Sequence, residues 1–161
     1  MADKKITDLT ELTAPADDDY SEIVDTSTGA SMKVSRANLS GWHFLTSPLI
    51  STSWDGDSFS TTAKTKIDLS TVFGAPAGIK AVLFNVALRD SGSAANECLI
   101  SLSPSSGAGG LSARCSGIAN DKFVNACLIV PCDANGDIYY DIAASGSGTM
   151  DVYLQIYGYW L

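Results

Sequence analysis

Met150-Asp151-Val152-Tyr153-Leu154-Gln155-Ile156-Tyr157-Gly158-Tyr159-Trp160 is the stretch that decides the fold class. Val152, Leu154 and Ile156 alternate with Tyr153, Gln155 and Tyr157. A period of two is the repeat of a strand, whose successive side chains point to opposite faces. One face of this strand is aliphatic, the other aromatic and polar. Upstream, in 79–89, Val82, Phe84, Val86 and Leu88 share one face, while Ala81, Leu83 and Ala87 make the other mostly apolar. Such a strand is expected to be covered on both faces, by a second sheet or by a neighbouring subunit. Further β-type runs fall at 97–103, 111–116, 125–132 and 137–143. Turns rich in Gly, Ser, Asn and Asp separate them, at 90–95, 104–110, 120–121, 133–136 and 145–149. Many strands joined by short turns, with no long helical pattern, predict a mainly β chain whose body is a jelly-roll-like β-sandwich.

Residues 41–78 read as a transition. Trp42, Phe44, Leu49, Ile50, Trp54 and Phe59 are apolar anchors among Ser, Thr, Gly and Asp, with short strands expected near 49–54 and 64–69 and a turn at 75–78. The expected organisation is an N-terminal module over 1–40, this segment, and a sandwich core over 79–161, with 41–161 as one domain in the alternative division.

The whole chain has 161 residues, 45% of them hydrophobic and 17% charged, which is the composition of a globular protein. Ten basic against eighteen acidic residues give a net charge of −8. The basic residues are scattered, so no concentrated phosphate-binding surface forms and nucleic acid is not an expected partner. No apolar run approaches the roughly 20 residues that span a bilayer, so no membrane partner is expected either. The two lysines near the start have no apolar stretch behind them, which does not fit Sec-type export. The expected place of synthesis and assembly is the cytoplasm. The four cysteines, Cys98, Cys115, Cys127 and Cys132, fit no common zinc spacing and are expected as free thiols; the spacing does not pair them.

Chemistry-bearing patterns are sparse. The one histidine, His43, lies between Trp42 and Phe44 and has no nucleophile motif around it. No catalytic residue, no cofactor and no enzymatic activity are expected. Asp133-Ala134-Asn135-Gly136-Asp137 has the oxygen-rich start of a calcium loop, through Asp133, Asn135 and Asp137, but lacks the distal Glu of an EF-hand. Asn and Asp beside Gly are also what a tight turn needs. Tyr153, Tyr157, Tyr159 and Trp160, with Tyr139 and Tyr140 nearby, form an aromatic-rich surface. It suits either an oligomer interface or a stacking platform for sugar rings.

The first forty residues differ from the rest. Ile6, Leu9 and Leu12 recur every three residues, as one helical turn or as an extended clamp. Short strands follow at 22–25 and 31–35, with Gly29 in the turn between them. Ser35 is placed to cap a short helix over 36–39. A lone two-stranded hairpin is marginal in water and needs a surface to dock on. Ile6, Leu9, Leu12, Ile23, Val24, Met32, Val34 and Leu39 are the candidate anchors. Together Ile6-Thr7-Asp8-Leu9, Leu12, Ala14-Pro15, Asp19, Glu22-Ile23-Val24-Asp25, Gly29, Lys33-Val34 and Asn38-Leu39 resemble the N-terminal attachment modules of head-fibre, capsid-decoration and tail-fibre proteins of tailed bacteriophages. The resemblance covers about a quarter of the chain. It implies a virion structural subunit, often trimeric, that docks through its N-terminus on the major capsid protein or another virion protein and projects its β-domain. The expectation is a capsid decoration or head-fibre subunit. The alternative is a short tail fibre or receptor-binding protein that recognises host surface carbohydrate.

Overall fold

The computed structural model describes residues 41–59, 63–107 and 109–161, and describes 20–25 and 30–35, like 57 and 58, by their backbone. Two units divide the chain, Met1–Ser40 and Gly41–Leu161. In the first, β1 (Tyr20–Asp25) and β2 (Ala30–Ser35) pair antiparallel, from Tyr20 opposite Ser35 to Asp25 opposite Ala30. Ile23 stands opposite Met32, and Val24 opposite Ser31. Ile6, Leu9 and Leu12, the Gly29 turn and the helix expected over 36–39, Leu39 included, lie outside the described residues.

The second unit contains β3 (Trp42–Leu49), β4 (Asp55–Phe59), β5 (Thr65–Ile67), a short helix α1 (Leu69–Phe73), β6 (Ala81–Asp90), β7 (Leu99–Ser103), β8 (Leu111–Arg114), β9 (Val124–Pro131), β10 (Ile138–Ala143) and β11 (Met150–Trp160). They make two antiparallel sheets in a sandwich-like arrangement. One has the order β5-β10-β7-β8; the other has the order β3-β11-β6-β9, with β4 also on β11. The two longest strands, β6 and β11, pair along their whole length, from Met150 opposite Asp90 to Trp160 opposite Ala81. Their alternation explains the layering. Val82, Phe84, Val86 and Leu88 of β6, with Met150, Val152, Leu154 and Ile156 of β11, are fully buried. Ile100 and Leu102 of β7 and Ile138 and Ile142 of β10 meet them from the other sheet in one core. Each such side chain contributes about 1.5–3 kcal/mol by leaving water.

The structure departs from expectation in three places. First, within one chain a second sheet covers only the inner face of β6: Leu83 and Ala87 remain half-buried on the outer side of their sheet. Second, no strand runs over 49–54. β3 ends at Leu49 and β4 begins at Asp55, and a 3-10 turn at Thr52–Trp54 carries the chain from one pairing partner on the β11 edge to the next. Ser51 caps that turn by accepting from the Ser53 N–H at 3.2 Å. Trp54 is drawn inward against Phe59 (4.7 Å) and Tyr140 (4.8 Å). Third, the strand expected near 64–69 stops at Ile67, and α1 follows. Asp68 caps the helix through Thr71 N–H at 2.9 Å, and Gly74 closes it in the left-handed region at φ 72°.

At the end of β6 the buried carboxylate of Asp90 gathers the loops. It accepts from the Ser145 hydroxyl, from Gly92 N–H at 2.7 Å, from Ser145 N–H at 3.0 Å and from the Thr149 hydroxyl at 3.0 Å. Its main-chain carbonyl accepts from Ser93 and Asp121. Burial pushes the carboxyl up, but these donors outweigh burial and hold it below its ordinary value. A depressed carboxyl contributes stability that is fully present above its unfolded value, about 3.9. That contribution is lost as pH falls from there through the folded value. Asp90→Asn is expected to cost about 1–3 kcal/mol at pH 7, because the donors around it lose an anionic acceptor. The same variant should flatten the fall in stability below about pH 4. Urea unfolding of both proteins at pH 7 and pH 3 checks both points; an equal pH dependence would refute the assignment.

Candidate functional site

The outer face of the five-stranded sheet is built by the residues that alternate with the core. On β6 these are Leu83, Asn85, Ala87 and Arg89. On β9, Ile129 stands opposite Leu83 and Cys127 opposite Asn85. On β11 the row is Asp151, Tyr153, Gln155 and Tyr157, after which the register shifts between Ile156 and Gly158. One extra residue in a strand exchanges inside and outside beyond it. Tyr159, opposite Val82, therefore turns towards the core, where it packs and stacks on His43 at 5.5 Å. Trp160, opposite Ala81, turns outward.

Strand β3 adds two rings to this face. Trp42 stands opposite Trp160 and meets it edge-on at 5.8 Å; Phe44 stands opposite Gly158 and stacks on Trp42 at 6.1 Å. Gly158 permits the approach: a Cβ there would lie 2.9 Å from the His43 carbonyl and 3.4 Å from the Phe44 ring. The result is an open groove of about 500 Å³, lined chiefly by Phe44, Leu45, Leu83, Asn85, Cys127 and Tyr157. None of these carries a charge. Phe44 is 73% exposed and Ile129 54%, against an ordinary core position near zero. The opposite end of the face is closed by an ion pair, Arg89 to Asp151 at 2.8 Å, with the Arg89 guanidinium 4.8 Å over the Phe123 ring and Phe123 edge-on to Tyr153 at 5.7 Å. In the middle, Asn85 donates to Gln155 at 3.2 Å, so the polar pair there is satisfied internally.

Of the four aromatic residues expected to share a surface, Tyr153, Tyr157 and Trp160 do so, and Tyr159 is turned to the other side by the bulge. Tyr139 and Tyr140 belong to the other sheet. Trp42, Phe44, Leu83, Ile129 and Phe123 complete the face; in the sequence Trp42 and Phe44 read as anchors of a transition and Leu83 as part of a strand apolar on both sides. The signal available for them is the pairing of 42–44 with the end of β11, which alternation within one strand does not reveal.

Residues with chemical potential are engaged elsewhere. Asp133 Oδ1 accepts from Asn135 N–H at 2.8 Å and Asp137 N–H at 2.9 Å, closing the turn on itself. Asp137 Oδ2, almost fully buried, accepts from Lys66 Nζ at 2.9 Å. Lys66 is in turn raised by that hydrogen bond and by the Asp137 charge. These oxygens hold together the turn that takes the chain from β9 in one sheet to β10 in the other, and among the described residues no three His, Cys, Asp or Glu side chains are grouped as a metal site. His43 has an aromatic ring, not a nucleophile, as its stacking partner. The groove and its aromatic rim form an uncharged apolar surface.

In comparison with known proteins, no family model matches the chain, and no curated protein matches it significantly. The inner and outer assignments are separable by substitution. Phe44→Ser is expected to change unfolding free energy by about 0.5 kcal/mol or less, as at an exposed position. Phe84→Ala, one row away on the inner face, should cost about 3–5 kcal/mol. Thermal or urea unfolding distinguishes the two; comparable losses would contradict the parity described above.

Proposed function

We propose that this chain is a non-enzymatic structural subunit of a tailed-bacteriophage virion, a capsid decoration or head-fibre protein. In this reading residues 1–40 are the anchor to the capsid, and the sandwich, a projecting jelly-roll-like domain, associates with its own copies as a trimer. The observation that carries it is the uncharged aromatic and aliphatic outer face of the five-stranded sheet, from Trp42, Phe44 and Trp160 to Leu83 and Ile129. Contiguous exposed apolar surface of this kind marks interaction sites. In a chain of net charge −8, copies repel each other generally, and an uncharged face is where they approach at least electrostatic cost. A closed oligomer buries one such face from each subunit by symmetry. The resemblance of residues 6–39 to virion attachment modules supports the location, and the separate contact units at Met1–Ser40 and Gly41–Leu161 fit an anchor and a projecting body.

Deleting residues 1–40 is expected to abolish binding to virus particles, measured by co-sedimentation, while the remaining chain keeps its β-type circular dichroism and cooperative melting. Full occupancy by the truncated protein would sink the anchor. Separately, Ile129→Asp or Phe44→Asp should convert the oligomer to monomer in analytical ultracentrifugation with little loss of fold. An unchanged oligomer would move the interface elsewhere, and saccharide binding that depends on Trp160 and Tyr157 would favour the receptor-binding alternative.

A further inference from the structure

The ladder between β7 and β8 ends with Leu99 opposite Arg114. The next residues outward are Cys98 and Cys115. They stay opposite each other: the Cys115 N–H donates to the Cys98 carbonyl at 2.9 Å. Ser116 fixes the same end, its hydroxyl accepting from Cys98 N–H at 2.8 Å and donating to the Cys98 carbonyl at 3.2 Å. Both cysteines are fully buried and both are free thiols. Directly facing residues of an antiparallel pair have Cα atoms about 4.5–5.5 Å apart. That spacing falls inside the roughly 4.4–6.8 Å range that a disulfide bridges. Facing residues also present their side chains to the same side, which here is the core. Neither of the other cysteines is so placed: Cys127 lines the outer groove, and Cys132 packs on the core.

We propose that Cys98 and Cys115 form an intramolecular cross-strand disulfide when the chain folds in oxidising surroundings. The oxidant is a small-molecule disulfide such as oxidised glutathione. One cysteine, as thiolate, attacks a glutathione sulfur, breaks the S–S bond and releases one glutathione. The second cysteine attacks the resulting mixed disulfide and releases the other. Two protein thiols are oxidised, one glutathione disulfide is reduced to two thiols, and the protons pass to the solvent and the released thiolates. In the folded protein burial, then the nearby Asp90 charge and the neighbouring Cys115, push the Cys98 thiol up to about 11, and burial and Asp90 raise Cys115 as well. Both thiols stay protonated and shielded at neutral pH, so the bond forms during folding or local opening rather than by attack on the closed core. It would close the segment 99–114 into a ring and staple the strand ends next to the Asp90 hub. This inference does not rest on the virion reading.

The test is refolding of the full chain from denaturant in glutathione buffer, oxidised and reduced, followed by alkylation under denaturing conditions and tryptic mapping. Cleavage after Arg89, Arg114 and Lys122 places Cys98 in 90–114, Cys115 in 115–122, and Cys127 with Cys132 in 123–161. The expected result is a reducible species joining 90–114 to 115–122, with 123–161 alkylated at both cysteines. The oxidised protein should melt roughly 10 °C higher than the reduced one. In a Cys98→Ala/Cys115→Ala variant that difference should vanish. Alkylated Cys98 and Cys115 after oxidative refolding, or a bond involving 123–161 in the folded protein, would overturn the assignment; the mapping on the unaltered chain decides even where the variant fails to fold.

Discussion

The antiparallel ladder between β6 and β11 places nearly everything else in the sandwich. It runs from Asp90 opposite Met150 to Ala81 opposite Trp160. Two strands of ten and eleven residues give eight inward side chains without a break in burial. Because backbone polar groups must be paired when buried, such a central pair demands neighbours on both outer edges. β9 supplies one. β3 and β4 share the other, each covering half of β11. The division of that edge follows from local chemistry. From Phe44 to Leu49, β3 advances five residues while β11 advances from Ile156 to Gly158. Pro48, which has no N–H to donate, falls in that excursion.

The opposite end of the ladder depends on Asp90. A buried anion is expensive unless its hydrogen-bonding capacity is filled, and here main-chain and hydroxyl donors from 92, 145 and 149 fill it. The consequence is positional: the turn after β6 and the turn before β11 are tied to one carboxylate. Ser93, itself buried, extends the tie to 116–122 through its hydroxyl on the Ile118 carbonyl at 3.1 Å and its own carbonyl on Gly117 N–H at 2.8 Å. Glycine- and serine-rich turns of weak intrinsic preference thereby acquire fixed places.

The legibility of the fold in the sequence follows the strength of alternation. The strand at 150–160 is readable to its ends because Val152, Leu154 and Ile156 alternate with aromatic and polar residues, and 79–89 is readable to within two residues because Val82, Phe84, Val86 and Leu88 keep the same period. Helix α1 is not, because five residues are too few to display a 3.6-residue period; only its caps, Asp68 and Gly74, announce it. β3 is hidden because Thr46, Ser47 and Pro48 interrupt its pattern. The candidate surface is half legible. Tyr153, Tyr157 and Trp160 stand out by type, but the partners Phe44, Leu83 and Ile129 come from three other strands, and a single strand's periodicity does not say which strands are neighbours.

Tyr159 shows where the pattern misleads and why that matters. Extending the alternation of Val152, Leu154 and Ile156 unbroken would place Gly158 and Trp160 inside and Tyr159 outside. The bulge at Tyr157–Gly158 reverses this, sending Trp160 out beside Trp42 and bringing Tyr159 in against His43. Burial of a tryptophan side chain removes on the order of 200 Å² from water, about 5 kcal/mol at 25 cal/mol/Å². A strand without the bulge would exchange the two rings, Trp160 in and Tyr159 out, so only the difference between their burials is at stake. Outside, Trp160 still packs edge-on to Trp42 and is 39% exposed, so only that remaining part of its surface is left in water, beside the 73% exposed Phe44. In the proposed assembly, the apolar surface that Trp160, Trp42 and Phe44 still expose is what a second copy covers.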